Sequence, residues 1–300
     1  MRIGLLGTGP WAQAAYAPAL AGHPGVEFAG VWGRRQEAAT ALAGQYDVPA
    51  YDDVDALLAD VDAVAVALPP SVQAELAVRA ARAGRHLLLD KPLALSAAEG
   101  RAVVAAVERA GVASVVFFTA RFQKEPDAWI EEQAAVAGWF TARAQWLGAV
   151  FTSDSPFAAS PWRREKGALW DVGPHALSVL LPVLGDVRQV VAAAHGPADT
   201  VHLVLDHATG ASSSLTLSLT APPAAAGADV ELRGEAGVTL MPGSSEGAVP
   251  ALSRATDALL TAARTGRPHA CDAAFGLRVT EILATAQAGL TDGRELSPTD

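Results

Sequence analysis

The sequence is poor in cysteine and in charged residues, and each shortage narrows the classes of protein to which the chain can belong. Cys271 is the single cysteine in 300 residues, which excludes an intramolecular disulfide and every zinc site built from paired thiolates. Such a chain suits a reducing compartment, so we expect a cytoplasmic protein. Charged residues make up 18% and hydrophobic residues 51%, a balance that allows one large or two ordinary globular domains.

Long apolar runs, internal repeats and long runs of like charge are also missing from the sequence. Because no apolar run approaches the length of a bilayer span, we predict no membrane-spanning helix. The formal net charge of −10 would repel phosphate backbones and anionic membrane surfaces on average. Nucleic acids and membranes are therefore not expected as partners.

The N-terminal segment is apolar after Arg2 and contains Ala17-Pro18-Ala19, two features that a secretory signal peptide shares. Residues 4–10, however, include three glycines and a proline, which a signal helix avoids. We expect a strand that turns into a helix here.

Strand-like apolar runs alternate with alanine-rich amphipathic segments through the first 120 residues. This alternation predicts a parallel sheet with crossover helices on its faces. The predicted strands are 3–6, 26–32, 63–68, 86–89 and 113–118, and two of the predicted helices are 36–45 and 72–83.

The pattern changes near Arg121, after which the strand-like runs become longer and are typical of a mainly antiparallel sheet. Helices are predicted at 125–135, 167–184, 253–265 and 272–290, and strands at 141–151, 187–195, 200–206, 212–220 and 229–232. We therefore predict an α/β fold with two domains. Residues 1–120 form a Rossmann domain with a doubly wound parallel sheet, and residues 121–300 form an α+β domain with an open sheet and helices on one face. The terminal helix can pack back on the first domain.

Gly7-Thr8-Gly9-Pro10-Trp11-Ala12 follows the first predicted strand and opens a helix, which is the setting that a dinucleotide-binding turn requires. Gly7 permits the tight turn, Gly9 lets the backbone approach a pyrophosphate, and Ala12 allows close helix packing. The helix N-terminus favours the anion. A tight turn in some other βα unit is the alternative.

The place where an NAD site usually has an acidic residue reads Trp32-Gly33-Arg34-Arg35. Two guanidinium groups would pair with a 2′-phosphate, so we predict NADP as the cofactor, with NAD as the alternative. Arg34 and Arg35 could instead merely begin a solvated helix.

Two further motifs are Asp90-Lys91-Pro92 at the end of a predicted strand and Asp171-Val172-Gly173-Pro174-His175 at a predicted helix. With the glycine turn, they make the chain resemble the Gfo/Idh/MocA oxidoreductase family over essentially its whole length. Arg121-Phe122 at the domain junction and Trp162-Arg163 add to the resemblance. The sequence departs from the family pattern at Asp90, Gln73 and Ser178, where glutamate, histidine and aspartate are common.

The resemblance implies a catalytic trio of Lys91, Asp171 and His175. The spacing agrees, because residues four apart share one face of a helix. Histidine titrates near neutrality and can take the hydroxyl proton during alcohol oxidation, while the lysine would polarise the reacting oxygen and the aspartate orient the imidazole or bind substrate. Taken singly, these residues could be a surface lysine, a helix cap and a core histidine.

The predicted site residues fall into two groups besides the catalytic trio. The cofactor-binding candidates are Gly7, Thr8, Gly9, Pro10, Trp11, Ala12, Gly33, Arg34, Arg35, Leu68, Pro69, Asp90 and Lys91. The substrate-binding candidates are Lys91, Arg121, Phe122, Trp162, Arg163, Asp171 and His175. No metal is expected, because Asp171 and His175 alone make a poor site.

The predicted function is hydride transfer between NAD(P) and a secondary alcohol or ketone of a small-molecule substrate, which the resemblance narrows to a sugar, a cyclitol or a related carbonyl compound. One alternative is a dinucleotide-binding sensor without turnover. Another is an enzyme that uses tightly held cofactor for internal redox. Because an open sheet leaves an apolar face uncovered, we also expect a homodimer or homotetramer.

Overall fold

The first strand, β1 (Arg2–Leu6), is buried at every residue after Arg2, as expected of a central strand covered on both faces. It pairs in parallel with β2 (Glu27–Trp32) on one side and β4 (Ala63–Val66) on the other. The remaining strands of this sheet are β3 (Ala50–Tyr51), β5 (His86–Asp90) and β6 (Ser114–Phe117). The order is β3-β2-β1-β4-β5-β6 and all pairings are parallel, which confirms the predicted Rossmann sheet.

Crossover helices connect these strands, and local signals fix their ends. Ser96 accepts a hydrogen bond from the Glu99 amide at the start of α5, and Gly111 ends that helix in the left-handed conformation. The first connection begins with a π-helical turn at Ala12–Tyr16. The α-helices of this part are α1 (Ala17–Gly22), α2 (Gln36–Gly44), α3 (Val54–Asp60), α4 (Pro70–Arg82) and α5 (Ala97–Ala110).

The structure, a computed structural model, describes residues 1–291 and divides them into two compact units. The first unit combines Met1–Asp127 with Ser244–Thr280, and the second combines Ala128–Gly243 with the segment from Glu281 onward. Residues 244–280 belong to the first unit because α9 (Ala248–Thr265) packs against β5, β6 and α1. The compact units thus differ from the predicted domains 1–120 and 121–300 by placing 121–127 and 244–280 in the first unit.

The second unit contains a six-stranded mixed sheet. Its strands are β7 (Trp139–Leu147), β8 (Val187–His195), β9 (Val201–His207), β10 (Ser212–Ser218), β11 (Gly227–Gly234) and β12 (Gly237–Leu240). Their order is β12-β11-β7-β10-β9-β8. Only β7 and β10 pair in parallel within this sheet, so the prediction of a mainly antiparallel sheet is confirmed.

One face of this sheet is covered and the other is open. In β9 the side chains of Val201, Leu203 and Leu205 are buried while His202 and Val204 between them are exposed. Two helices of the second unit, α7 (Pro161–Asp171) and α8 (Gly173–Leu184), pack on the sheet. The chain also contains α6 (Lys124–Ala134) and α10 (Ala273–Thr291).

The segment Pro161–Leu184 is the one stretch within residues 1–291 that is long and apolar enough to cross a membrane. In its most apolar window, 83% of the residues are buried inside the fold. This burial is typical of the core helices of a soluble protein.

Candidate active site and cofactor cleft

The glycine turn after β1 is held against the neighbouring strands. The Gly7 amide donates to the Trp32 carbonyl at 2.9 Å, and Gly7 has a φ of +134°. A Cβ at this position would lie 2.3 Å from the Ala67 carbonyl oxygen. Only glycine therefore fits where the turn passes the end of β4.

The second half of the turn faces open space. The Thr8 carbonyl accepts a hydrogen bond from the Gln13 side chain at 2.9 Å, and the Gly9 carbonyl accepts one from the Gln13 amide at 3.1 Å. A Cβ built on Gly9 meets no atom within 4 Å.

The backbone after β2 passes close to this turn. A Cβ at Gly33 would lie 2.6 Å from Thr8 Cγ2. Pro10 is exposed, Trp11 is half-buried, and the buried Ala12 begins the π-helical turn.

A cleft of about 490 Å³ lies at the carboxyl ends of β1, β2 and β4. This is where the strand order reverses, the usual ligand crevice of an open parallel sheet. Its lining is Thr8, Gly9, Gly33, Arg34, Arg35, Ala67, Leu68 and Pro69. Both arginines are exposed, and none of these lining residues is acidic. The bare backbone at Gly9, the helix start and the two cations fit the phosphates of a dinucleotide.

Lys91 lies at the same edge of this sheet, directly after β5. The Asp90 carboxylate accepts a hydrogen bond from the Lys91 amide at 2.8 Å, and the Lys91–Pro92 peptide bond is cis. The buried side chain of Gln73, on α4, bonds to the backbone of this turn on both sides of Lys91. In the sequence, Gln73 stands out only as a departure from the family pattern. A polar residue on the buried face of a predicted crossover helix was the signal that could have found it.

Asp171 ends α7 and is only 4% exposed. Its Oδ2 accepts a hydrogen bond from Arg163 Nε at 2.7 Å. The Arg163 guanidinium in turn lies over the rings of Phe157 and Trp162, at 4.7 Å from each centroid. The arginine therefore neutralises the buried carboxylate and is itself held by two aromatic faces.

His175 lies in the first turn of α8, and its ring stacks on the indole of Trp146 from β7, with 5.4 Å between centroids and 10° between planes. The Ser178 hydroxyl donates to the His175 carbonyl at 2.7 Å. The expectation of one continuous helix over 167–184 is wrong, because the chain leaves helical geometry at Gly167 and has a turn at Val172. Asp171 and His175 thus lie on successive helices. The stacking partner Trp146 was not predicted.

Arg121 and Phe122 occupy a packed corner of the first unit, just after β6. Phe122 is 4% exposed, and its ring lies against Phe117 and stacks on His269. Arg121 Nε lies 3.4 Å from an oxygen of Asp127. Burial, and secondarily Arg121, lowers the pKa of His269.

The structure brings the predicted residues together in two groups. In the first unit, the glycine turn, residues 33–35, Leu68 and Pro69 line one cleft, and Asp90 and Lys91 follow the next strand of the sheet. In the second unit, Trp162, Arg163 and Asp171 form one connected cluster, and His175 lies in the first turn of the next helix. Among residues 1–291, no group of three or more His, Cys, Asp or Glu side chains could hold a metal ion.

Comparison with protein families assigns both halves of the chain. Residues 1–118 match the oxidoreductase family GFO_IDH_MocA, described as an NAD-binding Rossmann fold. Residues 141–239 match the GFO/IDH/MocA C-terminal domain. The two matches together cover most of the chain.

Individual relatives agree with this assignment. D-xylose 1-dehydrogenase (NADP(+)) 2 from Haloferax volcanii is 32% identical over 240 residues, which span 74% of this chain and 70% of that protein. Inositol 2-dehydrogenase from Rhizobium meliloti is 35% identical over 124 residues, 41% of this chain and 37% of that protein. The solved structure of levoglucosan dehydrogenase in complex with NADH and levoglucosan has the same fold, with a TM-score of 0.85, 20% identity and 97% of each chain covered.

The fold has the NAD(P)-binding sheet, and the two relatives named above are dehydrogenases. The chain belongs to the Gfo/Idh/MocA oxidoreductase family and is an NAD(P)-dependent dehydrogenase or reductase.

Proposed function

We propose that this protein is an NADP-preferring enzyme that interconverts a secondary alcohol and a ketone of a sugar, a cyclitol or a related compound. The observation that carries the cofactor preference is the cleft wall at Arg34 and Arg35, which has two guanidinium groups and no carboxylate. Arginine pairs with phosphate through parallel hydrogen bonds, whereas an NAD site uses an acidic residue here to bind the ribose hydroxyls. The name of the Haloferax volcanii relative, a D-xylose dehydrogenase that uses NADP, supports both parts of the proposal.

The catalytic roles follow from side-chain chemistry. The nicotinamide, when bound, supplies or accepts the hydride. His175 takes the hydroxyl proton in the oxidative direction and returns it in the reductive direction. Lys91 donates a hydrogen bond to the reacting oxygen and stabilises the negative charge that develops on it.

The role of Asp171 is to accept a hydrogen bond from the imidazole or from a substrate hydroxyl, and its carboxylate is held in place for that role. The hydrogen bond from Arg163 and the aromatic faces around that arginine restrict the carboxylate to one position. The stacking of His175 on Trp146 similarly restricts the imidazole ring. Such restriction supports proton transfer, because reacting groups must be oriented before the barrier is crossed.

The cofactor preference is tested by measuring the dissociation constants of NADPH and NADH for the wild type, Arg34→Ala and Arg35→Ala. We expect the wild type to bind NADPH more tightly, and the arginine variants to lose about 1 to 3 kcal/mol of binding energy for NADPH but little for NADH. Arg82→Ala, an exposed arginine at the end of α4 that is not part of the cleft lining, is the matched control. Equal affinities in the wild type, or an unchanged ratio in both cleft variants, would refute the NADP preference.

The catalytic assignment is tested by steady-state turnover of Lys91→Ala and His175→Ala. Removing a positioned general acid or base costs about 100- to 10,000-fold in rate, so kcat should fall in that range for His175→Ala. Loss of the oxyanion-stabilising donor in Lys91→Ala should cost about 100- to 1,000-fold. NADPH affinity of His175→Ala should match the wild type, and a variant with unchanged kcat would remove that residue from the mechanism.

A further inference from the structure

Gln73 makes an unusually complete set of hydrogen bonds with the turn that carries Lys91. Its Oε1 accepts from the Asp90 amide at 2.9 Å, and its Nε2 lies 2.7 Å from the Asp90 carbonyl and 3.0 Å from the Pro92 carbonyl. A longer contact of 3.3 Å reaches the Leu93 carbonyl. The side chain therefore forms hydrogen bonds with the backbone immediately before and immediately after Lys91.

The chemistry of a carboxamide suits this position. Gln73 is 1% exposed, so each backbone group it bonds would lose its partner without access to water if the amide were removed. A carboxamide both accepts and donates, and it does not titrate. The contact with the turn is therefore independent of pH.

Gln73 also connects this turn to the cofactor cleft. It lies in the first turn of α4, where its amide donates to the Pro69 carbonyl at 3.0 Å. Pro69 is part of the cleft wall. Through its side chain and its backbone amide, this one residue thus connects the backbone around Lys91 to the wall of the cleft, and it is not among the residues that line the cleft.

We propose that Gln73 is a positioning residue that sets the place of Lys91 relative to the cofactor cleft and thereby the rate of hydride transfer. The inference rests on the proposed role of Lys91 in catalysis. A displacement of about 1 Å in a reacting group can cost about 100-fold in rate. Loss of these hydrogen bonds should consequently lower kcat and leave the affinity for the adenosine half of the cofactor unchanged.

The first test compares Gln73→Leu with Gln133→Leu, a buried glutamine on α6 that is 6% exposed and not among the residues assigned to the site. We expect kcat of Gln73→Leu to fall about 10- to 100-fold with the NADPH dissociation constant unchanged. The primary isotope effect with deuterated NADPH should rise as hydride transfer becomes rate-limiting. Gln133→Leu should keep the wild-type kcat and isotope effect. Wild-type kcat in Gln73→Leu would overturn the inference, as would an equal fall in both variants.

The second test uses Gln73→Glu, which keeps the size and shape of the side chain and guards against failure of the leucine variant to fold. A protonated carboxyl can donate to the Asp90 carbonyl, whereas a carboxylate would face three carbonyl oxygens. Measured in the oxidative direction, where His175 acts as a base and high pH favours it, we expect kcat of Gln73→Glu to fall as pH rises, a limb that the wild type lacks in that direction. A wild-type pH profile, or a fall in kcat that follows thermal unfolding measured at the same pH values, would overturn the inference.

Lys91→Ala separates this inference from the proposed function. If Lys91→Ala loses turnover while both Gln73 variants keep it, the positioning role is wrong and the role of Lys91 stands. If Lys91→Ala keeps wild-type turnover, the role of Lys91 is wrong and the positioning role fails with it.

Discussion

His207 shows how a single buried side chain makes stability depend on pH. It is fully buried in the second unit, where Nδ1 lies 2.9 Å from the Gly185 carbonyl and Nε2 lies 2.8 Å from the Ser213 hydroxyl. A carbonyl can only accept, so Nδ1 carries the proton and Nε2 accepts from the serine. Burial lowers the pKa of His207, and it also lowers the pKa values of His86 and His269 in the first unit.

The sign of the pH effect follows from these directions. A histidine in the unfolded chain binds a proton at about pH 6.5, whereas these buried histidines bind one only at lower pH in the folded state. The free energy of unfolding should therefore fall as pH drops below about 6.5. One such histidine contributes at most about 1.4 kcal/mol per pH unit. Urea unfolding at pH 7.5 and 5.5 measures the difference, and His207→Gln should reduce it. An equal difference in the variant would show that His207 does not contribute.

Local motifs made much of the candidate site predictable at the residue scale. The glycine turn and the Lys91 and His175 motifs are short, and each residue type has a backbone or chemical reason for its place. Gln73 and Trp146 could not be found this way as partners of the site. Gln73 contacts residues 17 to 20 positions away along the chain, and Trp146 stacks on a residue of another element.

Gly167 shows why helix boundaries matter for the second group of site residues. It interrupts α7 with φ of 64° and ψ of −162°, a conformation that residues with a Cβ avoid. The interruption comes four residues before Asp171, so it sets the direction in which the last turn of α7 leads to that carboxylate. Helical periodicity alone predicted one continuous helix, because it does not register a single residue that departs from helical geometry.

Gly167→Ala should destabilise the protein by about 1 to 3 kcal/mol, the cost of forcing a Cβ into this conformation. We also expect kcat to fall, because α7 can relieve the strain by moving Asp171. Gly44→Ala is the control, since Gly44 lies in α2 without a positive φ and a Cβ there meets no atom within 4 Å. Thermal unfolding and turnover are the measurements. Equal stability of the two variants would contradict the assigned role of Gly167.

Most of the larger elements were predicted with their types, although α5 was not among the helices named from the sequence. The missed strands have physical causes. β3 has two residues, too few to show alternation. β12 is short and mostly exposed, so it lacks a buried apolar face. β10 pairs in parallel with β7, and the paired residues Thr141 and Ser212 are 71 positions apart along the chain. No local signal in the sequence indicates such a pairing.

At the scale of the whole molecule, the open face of the second sheet predicts self-association. Large apolar side chains of this sheet are exposed at Phe140, Val191, Val204, Val238 and Leu240. Exposed apolar groups on a sheet favour a partner surface, and a second copy of the chain is the usual one. We therefore propose a homodimer or homotetramer that uses this sheet.

Sedimentation velocity tests the oligomer directly. The wild type should sediment as a dimer or tetramer. A Val204→Lys/Leu240→Glu double variant should shift toward monomer, because it places charges in the proposed interface between the copies. Ala14→Lys, which adds a charge at an exposed position of the first unit, is the control. A monomeric wild type would contradict the proposal.

Hydride transfer between NADP and a hydroxyl-bearing carbon is the activity that we propose for this chain. The most direct measurement incubates the wild type with NADP⁺ and a panel of sugars and cyclitols and follows the nicotinamide absorbance, with Lys91→Ala as the control. We expect stoichiometric formation of NADPH and a keto product from at least one compound, faster than with NAD⁺ and about 100- to 1,000-fold slower in Lys91→Ala. Cofactor binding without turnover on any compound of the panel, or turnover that is unchanged in Lys91→Ala, would contradict it.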